Sequence, residues 1–260
     1  MRTLTVTVAQ GFRLDVQVSG RSTGPALLLL AGQANSHRWW TSLRADFDDE
    51  FRVVTMDQRG TGASKGEVTD WSTDLFADDA ARVLAALDAP RAMVYGTSMG
   101  GRVAQVLAAS HPNVVERLVL ACTSPGGPHD RERDAEVRRS LDGPDPSRRL
   151  AALQRLFYSN EWPHPPERSH LFGDPSMTVD EQRAHLRVSS RHDAWDRLVQ
   201  IEAPTLVLHG TDDLMSPVSN AHLLAERIPA TQLHLVEGGR HGFFEEYSSQ
   251  VVPLIRTFLA

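Results

Sequence analysis

The sequence predicts an α/β fold, with a mostly parallel, twisted sheet of about eight strands and helices on both of its faces. Two observations support this prediction. Short, continuously apolar segments recur along the chain, as expected for buried parallel strands. Stretches with the periodicity of an amphipathic helix lie between them. At 260 residues, 41% of them hydrophobic, the chain is long enough for one core domain with an insert.

The first two strands are predicted to form an antiparallel hairpin at one edge of the sheet. Residues 3–9 and 12–18 alternate apolar and polar side chains, and Gln10-Gly11 between them suits a tight turn. The other predicted strands are short apolar runs, and such runs are typical of strands that are covered on both faces. They occupy residues 26–31, 52–56, 92–96, 117–121, 204–208 and 232–236.

The segments between these strands are predicted to be helices that cover the sheet. In residues 74–89, the side chains of Phe76, Ala80, Val83 and Leu87 recur at spacings of four, three and four, so they share one helical face. The other predicted helices occupy residues 98–112, 219–229 and 244–259.

The interval between the strands at 117–121 and 204–208 breaks the alternation of strands and helices. It is charged, proline-rich and loosely helical, and about eighty structureless residues would be unusual inside a compact domain. We therefore predict a core domain of residues 1–124 and 201–260 and a helical cap of residues 125–200. An insert that leaves from the carboxyl end of a strand would cover the crevice in which α/β sheets bind their ligands.

Composition and charge argue against several classes of function. The net charge of −6 does not suit a nucleic-acid partner, which would call for a basic surface. The longest apolar run is too short to cross a bilayer and the N-terminus lacks the pattern of a signal peptide, so we expect a cytoplasmic protein with no membrane partner. The only cysteine, Cys122, lies in an apolar run and is expected to be a buried thiol.

One serine stands in a setting that predicts reactivity. The segment VYGTSMGG places Ser98 between a predicted strand and a predicted helix, with Gly96 and Gly100 two residues to either side. A sharp turn at this point would hold the serine in a strained conformation, and side chains at the two glycine positions would collide with neighbouring backbone. The N-terminus of the following helix would present free N–H groups to a developing oxyanion.

A serine hydroxyl becomes a strong nucleophile only when a base takes its proton and an acid orients that base. His241, in VEGGRHGFFEE, follows the last predicted strand and is flanked by glycines. Asp212 and Asp213, in LVLHGTDDLMSP, directly follow the strand at 204–208. We favour Asp213 as the acid, and we expect Asp212 to bond the turn backbone or to face solvent.

These segments resemble the α/β-hydrolase family over nearly the whole chain. The order Ser98, Asp213, His241 is the order of that family. GTSMGG is similar to its nucleophile elbow, HGTDDLMSP to its acid loop and GGRHGFFEE to its histidine loop, while MDQRGTGAS resembles its D-x-R-G-x-G-x-S segment. The resemblance implies an α/β-hydrolase fold with a catalytic triad and again selects Asp213 as the acid.

The resemblance also implies where the oxyanion hole lies. One backbone N–H would come from Met99, the residue after the nucleophile, and the other from Gln33, in the loop after the strand at 26–31. The family commonly has His-Gly in this loop, where the present sequence has Ala31-Gly32. Because backbone atoms make these hydrogen bonds, the substitution leaves the prediction in place.

The predicted reaction is acyl transfer on a small to medium carboxylic ester or lactone, with no metal and no organic cofactor. Some members of this fold use an aspartate as the nucleophile, and a serine at this position argues against their activities. Five aromatic residues are candidates for an apolar substrate pocket, although packing in the core or cap is an equal alternative for each. They are Trp39, Trp40, Phe157, Trp162 and Phe243.

Other activities remain open. C–C bond hydrolases that act on meta-cleavage products share the Ser-Met-Gly-Gly elbow but tend to carry an aromatic residue after the histidine, where this chain has Gly242. Perhydrolases and haloperoxidases of the fold also carry Ser-Met-Gly. A hydrolase-like ligand receptor is the alternative from another class. A monomer or a homodimer is expected, with a small-molecule substrate as the partner.

Overall fold

The computed structural model describes residues 1–143 and 145–260, and within them eight strands form one sheet. The strands are β1 (Arg2–Thr7), β2 (Arg13–Gly20), β3 (Ala26–Leu30), β4 (Arg52–Met56), β5 (Ala92–Thr97), β6 (Val115–Ala121), β7 (Thr205–Gly210) and β8 (Thr231–Val236). Their order across the sheet is β1-β2-β4-β3-β5-β6-β7-β8. The β1–β2 and β2–β4 pairs are antiparallel, and the other neighbouring pairs are parallel. The predicted fold class is therefore confirmed.

The described part of the chain contains eight α-helices. They are α1 (Thr73–Ala86), α2 (Met99–Ser110), α3 (Ala135–Leu141), α4 (Pro146–Phe157), α5 (Val179–Ser190), α6 (Ser219–Arg227), α7 (Phe243–Glu246) and α8 (Ser248–Leu259). None of the helices in these residues is both long and apolar enough to cross a membrane.

The sheet separates two hydrophobic cores, as the alternation of side chains along a strand requires. In β3, Leu28 and Leu30 join the core that includes α1 and α2. Their neighbours Leu27 and Leu29 join the core that includes α8. All four are fully buried, which explains why this strand reads as a continuous apolar run.

The C-terminal region differs from the prediction. A single helix was expected over residues 244–259, but the structure has α7 and α8, separated at Tyr247. The backbone of Tyr247 adopts φ −103° and ψ 30°, which interrupts the helix. The buried residues of α7 and α8 pack into the same core, so the apolar periodicity continues from one helix to the next. The sequence pattern therefore does not show where the first helix ends.

A buried ion pair fixes the loop after β4. The Arg59 guanidinium donates to both carboxylate oxygens of Asp79 in α1, at 2.6 and 2.9 Å, and lies over the ring of Phe12. Nearby, Asp57 accepts a backbone hydrogen bond from His37 at 2.7 Å. This loop is thereby held against both α1 and the segment that follows β3.

The segment between β6 and β7 contains α3, α4 and α5, and its two ends are bonded to each other. The N–H of Gly127 donates to the carbonyl of His192 at 2.8 Å, and the N–H of Ala194 donates to the carbonyl of Pro125 at 2.9 Å. The chain therefore leaves the sheet and returns to it at one place.

Candidate active site

Ser98 lies in the tight turn between β5 and α2. Its φ of 52° is in the left-handed region, which is strained for a residue with a side chain. A Cβ added at Gly96 would lie 2.4 Å from the carbonyl oxygen of Gly100, and one added at Gly100 would lie 2.2 Å from that of Leu30. Only glycine fits at these two positions, which explains the spacing in the sequence.

The structure brings Ser98, His241 and Asp213 together from three distant loops. Nε2 of His241 lies 3.1 Å from Oγ of Ser98, and Nδ1 of His241 lies 2.8 Å from Oδ2 of Asp213. His241 and Asp213 are buried. The three side chains form one continuous line of hydrogen bonds.

Asp213, rather than its neighbour, faces the histidine. Its Oδ1 accepts hydrogen bonds from the backbone N–H groups of Met215 at 2.8 Å and Ser216 at 2.9 Å, which leaves Oδ2 for His241. Asp212 is exposed and accepts a hydrogen bond from the hydroxyl of Thr211.

The protonation of this pair follows from its environment. Burial acts to raise the pKa of the Asp213 carboxyl, but the charge of His241 and hydrogen bonds from His209 and His241 lower that pKa below its usual value. An ionised carboxylate only accepts hydrogen bonds, so it holds the proton of His241 on Nδ1. The lone pair of Nε2 then faces the Ser98 hydroxyl, as a general base requires.

The histidine loop is attached to the C-terminal end of α4. The N–H of His241 donates to the carbonyl of Leu156 at 3.2 Å, and the N–H of Gly242 donates to that of Phe157 at 2.8 Å. The guanidinium of Arg240 donates to the carbonyl of Tyr158 at 2.7 Å. The last carbonyls of a helix have no partner within it, so these bonds satisfy them while they position His241.

The two predicted oxyanion-hole residues flank Ser98 in different ways. Met99 is the first residue of α2, so its N–H is one of the amides that a helix leaves without an internal partner. Gln33 follows β3 and lines the same cavity as Ser98. The N–H of Ala34, the next residue, donates to Nδ1 of His185 in α5 at 3.1 Å.

His185 supports the loop of Gln33 from outside the cavity wall, and the sequence did not predict this role. It is fully buried, and while its Nδ1 accepts from Ala34 its Nε2 donates to the carbonyl of Arg59 at 2.8 Å. Burial lowers its pKa from 6.5 to about 4, so the ring is neutral near pH 7. It thus ties the loop of Gln33 to the loop after β4. No motif marks it: it shares the buried face of α5 with Ala184 and Val188, and that spacing indicates burial but not these two hydrogen bonds.

A cavity of about 790 Å³ opens at Ser98 and His241, and residues of the segment between β6 and β7 form much of its wall. Trp39 and Phe157, two of the predicted pocket residues, line it. The ring of Phe157 also meets the His241 ring edge to face, with centroids 5.0 Å apart. The structure therefore places an aromatic wall beside Ser98 and His241.

The other three residues predicted for the pocket lie elsewhere. Trp40 is buried in the core that includes α8, 4.9 Å from the ring of Tyr95 in β5, and Phe243 is fully buried in the same core. Trp162 stacks on Tyr158 at 4.5 Å and is absent from the cavity wall. These three side chains do not line the cavity. Packing in the core accounts for Trp40 and Phe243, and stacking on Tyr158 accounts for Trp162, so the packing alternative holds for each.

Comparison with known proteins defines the class. A profile of the alpha/beta hydrolase fold matches residues 25–247, so the chain belongs to the α/β-hydrolase family. Among its relatives, "Putative carbamate hydrolase RutD" of Caulobacter sp. (strain K31) is 32% identical over 90% of each chain. The solved structure of the esterase RhEst1 from Rhodococcus sp. ECU1013 is 29% identical, with a TM-score of 0.84 over 100% of this chain and 98% of that one. Est816, described as an N-acyl homoserine lactone degrading enzyme, is 26% identical, with a TM-score of 0.81 over 98% of this chain and 100% of that one.

Proposed function

We propose that the protein is a serine hydrolase that cleaves a small to medium carboxylic ester or lactone through an acyl-enzyme intermediate, with Ser98, His241 and Asp213 as its catalytic triad. The observation that carries this proposal is the line of hydrogen bonds from Ser98 Oγ to His241 Nε2, at 3.1 Å, and from His241 Nδ1 to Asp213 Oδ2, at 2.8 Å, at the edge of a cavity.

In the first half of the reaction, Nε2 of His241 takes the proton of Ser98 as Oγ attacks the carbonyl carbon. The imidazolium that forms lies beside the buried, ionised Asp213, which stabilises its charge. The N–H groups of Met99 and Gln33 are proposed to bind the oxyanion. Each such donor typically contributes about 3 kcal/mol to the stability of the transition state.

In the second half, His241 donates its proton to the departing alcohol and then activates a water molecule, which attacks the acyl-enzyme and releases the acid. We propose that residues 125–200 act as a cap that limits access of bulk water to this site. Support comes from the paired ends of the segment and from its contribution to the cavity wall.

The names of the relatives support a choice of test substrates. An ester, a lactone and a carbamate each present a carbonyl carbon bonded to a leaving oxygen or nitrogen, and one triad can attack all three. We therefore propose a panel of esters, lactones and carbamates of graded acyl length, with vinylogous diketones included. If only the diketones are turned over, the protein is a C–C bond hydrolase and our proposal is wrong.

A fluorophosphonate probe tests the triad directly. We expect rapid labelling of the wild-type protein, complete loss in Ser98→Ala, and unchanged labelling in the control Ser22→Ala, which alters an exposed turn. Absence of labelling in the wild type, together with no turnover on the panel, would contradict the proposal and favour a ligand receptor. Perhydrolase activity would require turnover that depends on added peroxide.

A further inference from the structure

Arginine side chains in the cavity wall differ in whether a carboxylate neutralises them. Arg102 is bonded to Asp130 at 3.2 Å and to Ser124 at 2.7 Å. Arg138 forms an ion pair with Glu132. These guanidinium groups already have protein partners.

Arg131, Arg133 and Arg149 line the same cavity without an ion pair to a carboxylate of residues 1–143 and 145–260. Arg131 and Arg149 are exposed to solvent, whereas Arg133 is partly buried. Nη1 of Arg133 lies 3.6 Å from the sulfur of Met215, a weak acceptor. The N–H of Met215 in turn donates to Asp213 at 2.8 Å. The guanidinium of Arg133 therefore stands beside the loop that carries the proposed catalytic acid.

The backbone near Arg133 is held firmly. Asn220, which is fully buried at the start of α6, accepts from the N–H of Arg131 at 2.8 Å and donates to its carbonyl at 2.9 Å. This two-point attachment lies two residues before Arg133. The backbone that carries Arg133 into the cavity wall is thus fixed to α6.

An unpaired, partly buried cation is costly to maintain. The two carboxylates whose charge reaches Arg133 are occupied, since Asp130 bonds to Arg102 and Asp213 bonds to His241 and two amides. Burial acts to lower the pKa of Arg133, and these two negative charges oppose that effect. A guanidinium nevertheless stays protonated, and its planar donors match a carboxylate in two-point geometry.

We propose that Arg133 forms an anion subsite, and that the preferred substrate of this cavity is an ester or lactone that carries a carboxylate. This inference rests on the proposed hydrolase activity, and it names the substrate class. Binding the carboxylate supplies the partner that Arg133 lacks, and it orients the substrate so that the scissile carbonyl faces Ser98.

The test compares charged and neutral substrates of the same shape. One series consists of monomethyl esters of dicarboxylic acids of increasing length, each paired with its terminal carboxamide. A second series consists of acetate esters of hydroxy acids, paired with their amides. We expect kcat/KM to favour the carboxylate by about tenfold or more at the best length, because a hydrogen bond to a charged group is worth about that factor.

The decisive variant is Arg133→Gln, which should lose most of this preference, while Arg133→Lys keeps part of it. Arg139→Gln removes the same charge from an exposed position outside the cavity wall and should keep the preference. The carboxylate preference is the ratio of two kcat/KM values measured on one preparation. A fraction of misfolded protein lowers both values equally and leaves the ratio unchanged.

A carboxylate preference that is no larger in the wild type than in Arg133→Gln overturns the subsite. In that case, continued turnover of the neutral esters and fluorophosphonate labelling of Ser98 would leave the proposed hydrolase activity standing. If the wild-type protein shows neither turnover nor probe labelling, both the anion subsite and the proposed hydrolase activity are overturned.

Discussion

Replacing Asp213 by asparagine should exchange donor and acceptor in the hydrogen bond between this residue and His241 of the proposed triad. Oδ1 of Asp213 accepts from two backbone N–H groups, at 2.8 and 2.9 Å, and only the amide oxygen of asparagine can take over that role. The NH₂ group would then face Nδ1 of His241, where Oδ2 now lies at 2.8 Å. Two donors cannot face each other, so the histidine proton would move to Nε2.

With its proton on Nε2, His241 presents no lone pair to Ser98 and cannot act as a base. The same change of tautomer in a serine protease lowers kcat by about 10⁴, which corresponds to roughly 5.5 kcal/mol of transition-state stabilisation. We expect Asp213→Asn to lose activity by about this factor on the best ester of the panel.

The assay is kcat/KM together with thermal melting, with Asp212→Asn as the matched control. Asp212 carries the same charge one residue away but is exposed, so its replacement should change activity by less than about threefold. If Asp212→Asn is the more damaging change, or if Asp213→Asn keeps most of its activity, the assignment of the acid is wrong.

Three further predictions concern stability. Gly100→Ala should prevent formation of the native turn, since its Cβ would lie 2.2 Å from the carbonyl oxygen of Leu30, and circular dichroism with probe labelling will show the loss. The pKa of His185 falls from 6.5 in the unfolded state to about 4 in the folded state, so the unfolded state binds the proton first. The contribution of His185 to stability should be full above pH 6.5 and fall by about 3 kcal/mol down to pH 4. Buried His192, whose pKa is also lowered well below 6.5, adds to the same slope, so urea titrations should find the slope reduced by about this amount in His185→Gln. Arg59→Ala should cost about 3–5 kcal/mol in denaturant unfolding by leaving the Asp79 carboxylate buried without its partner, and the double variant Arg59→Met/Asp79→Leu should cost less.

The strands and the turn at Ser98 could be predicted because their constraints are local. Five consecutive buried residues in β3 require an unbroken apolar run, and a backbone oxygen 2.2 Å from a Cβ at Gly100 requires glycine. Asp213 could be separated from Asp212 by the resemblance of HGTDDLMSP to an acid loop, and the structure adds the amides of Met215 and Ser216, which hold its carboxylate.

Other features depend on contacts between distant segments and leave no local pattern. His185 reaches Ala34 from 151 residues away, and the buried face that it shares with Ala184 and Val188 does not reveal this partner. Trp39 and Trp40 are adjacent and both buried, yet only Trp39 lines the cavity. Whether Trp39 or Trp40 lines the cavity depends on how the turn that carries them packs against α4 and the histidine loop. The residue types alone do not determine this packing.

If Ser98 is the nucleophile, its Oγ carries the acyl group of the substrate during turnover. Rapid quenching of the reaction with a p-nitrophenyl ester, followed by peptide mass spectrometry, measures this directly. We expect one acyl group per protein, attached to the peptide that contains Ser98 and absent from Ser98→Ala. An acyl group on another residue, or steady turnover by Ser98→Ala at the wild-type rate, would contradict this assignment.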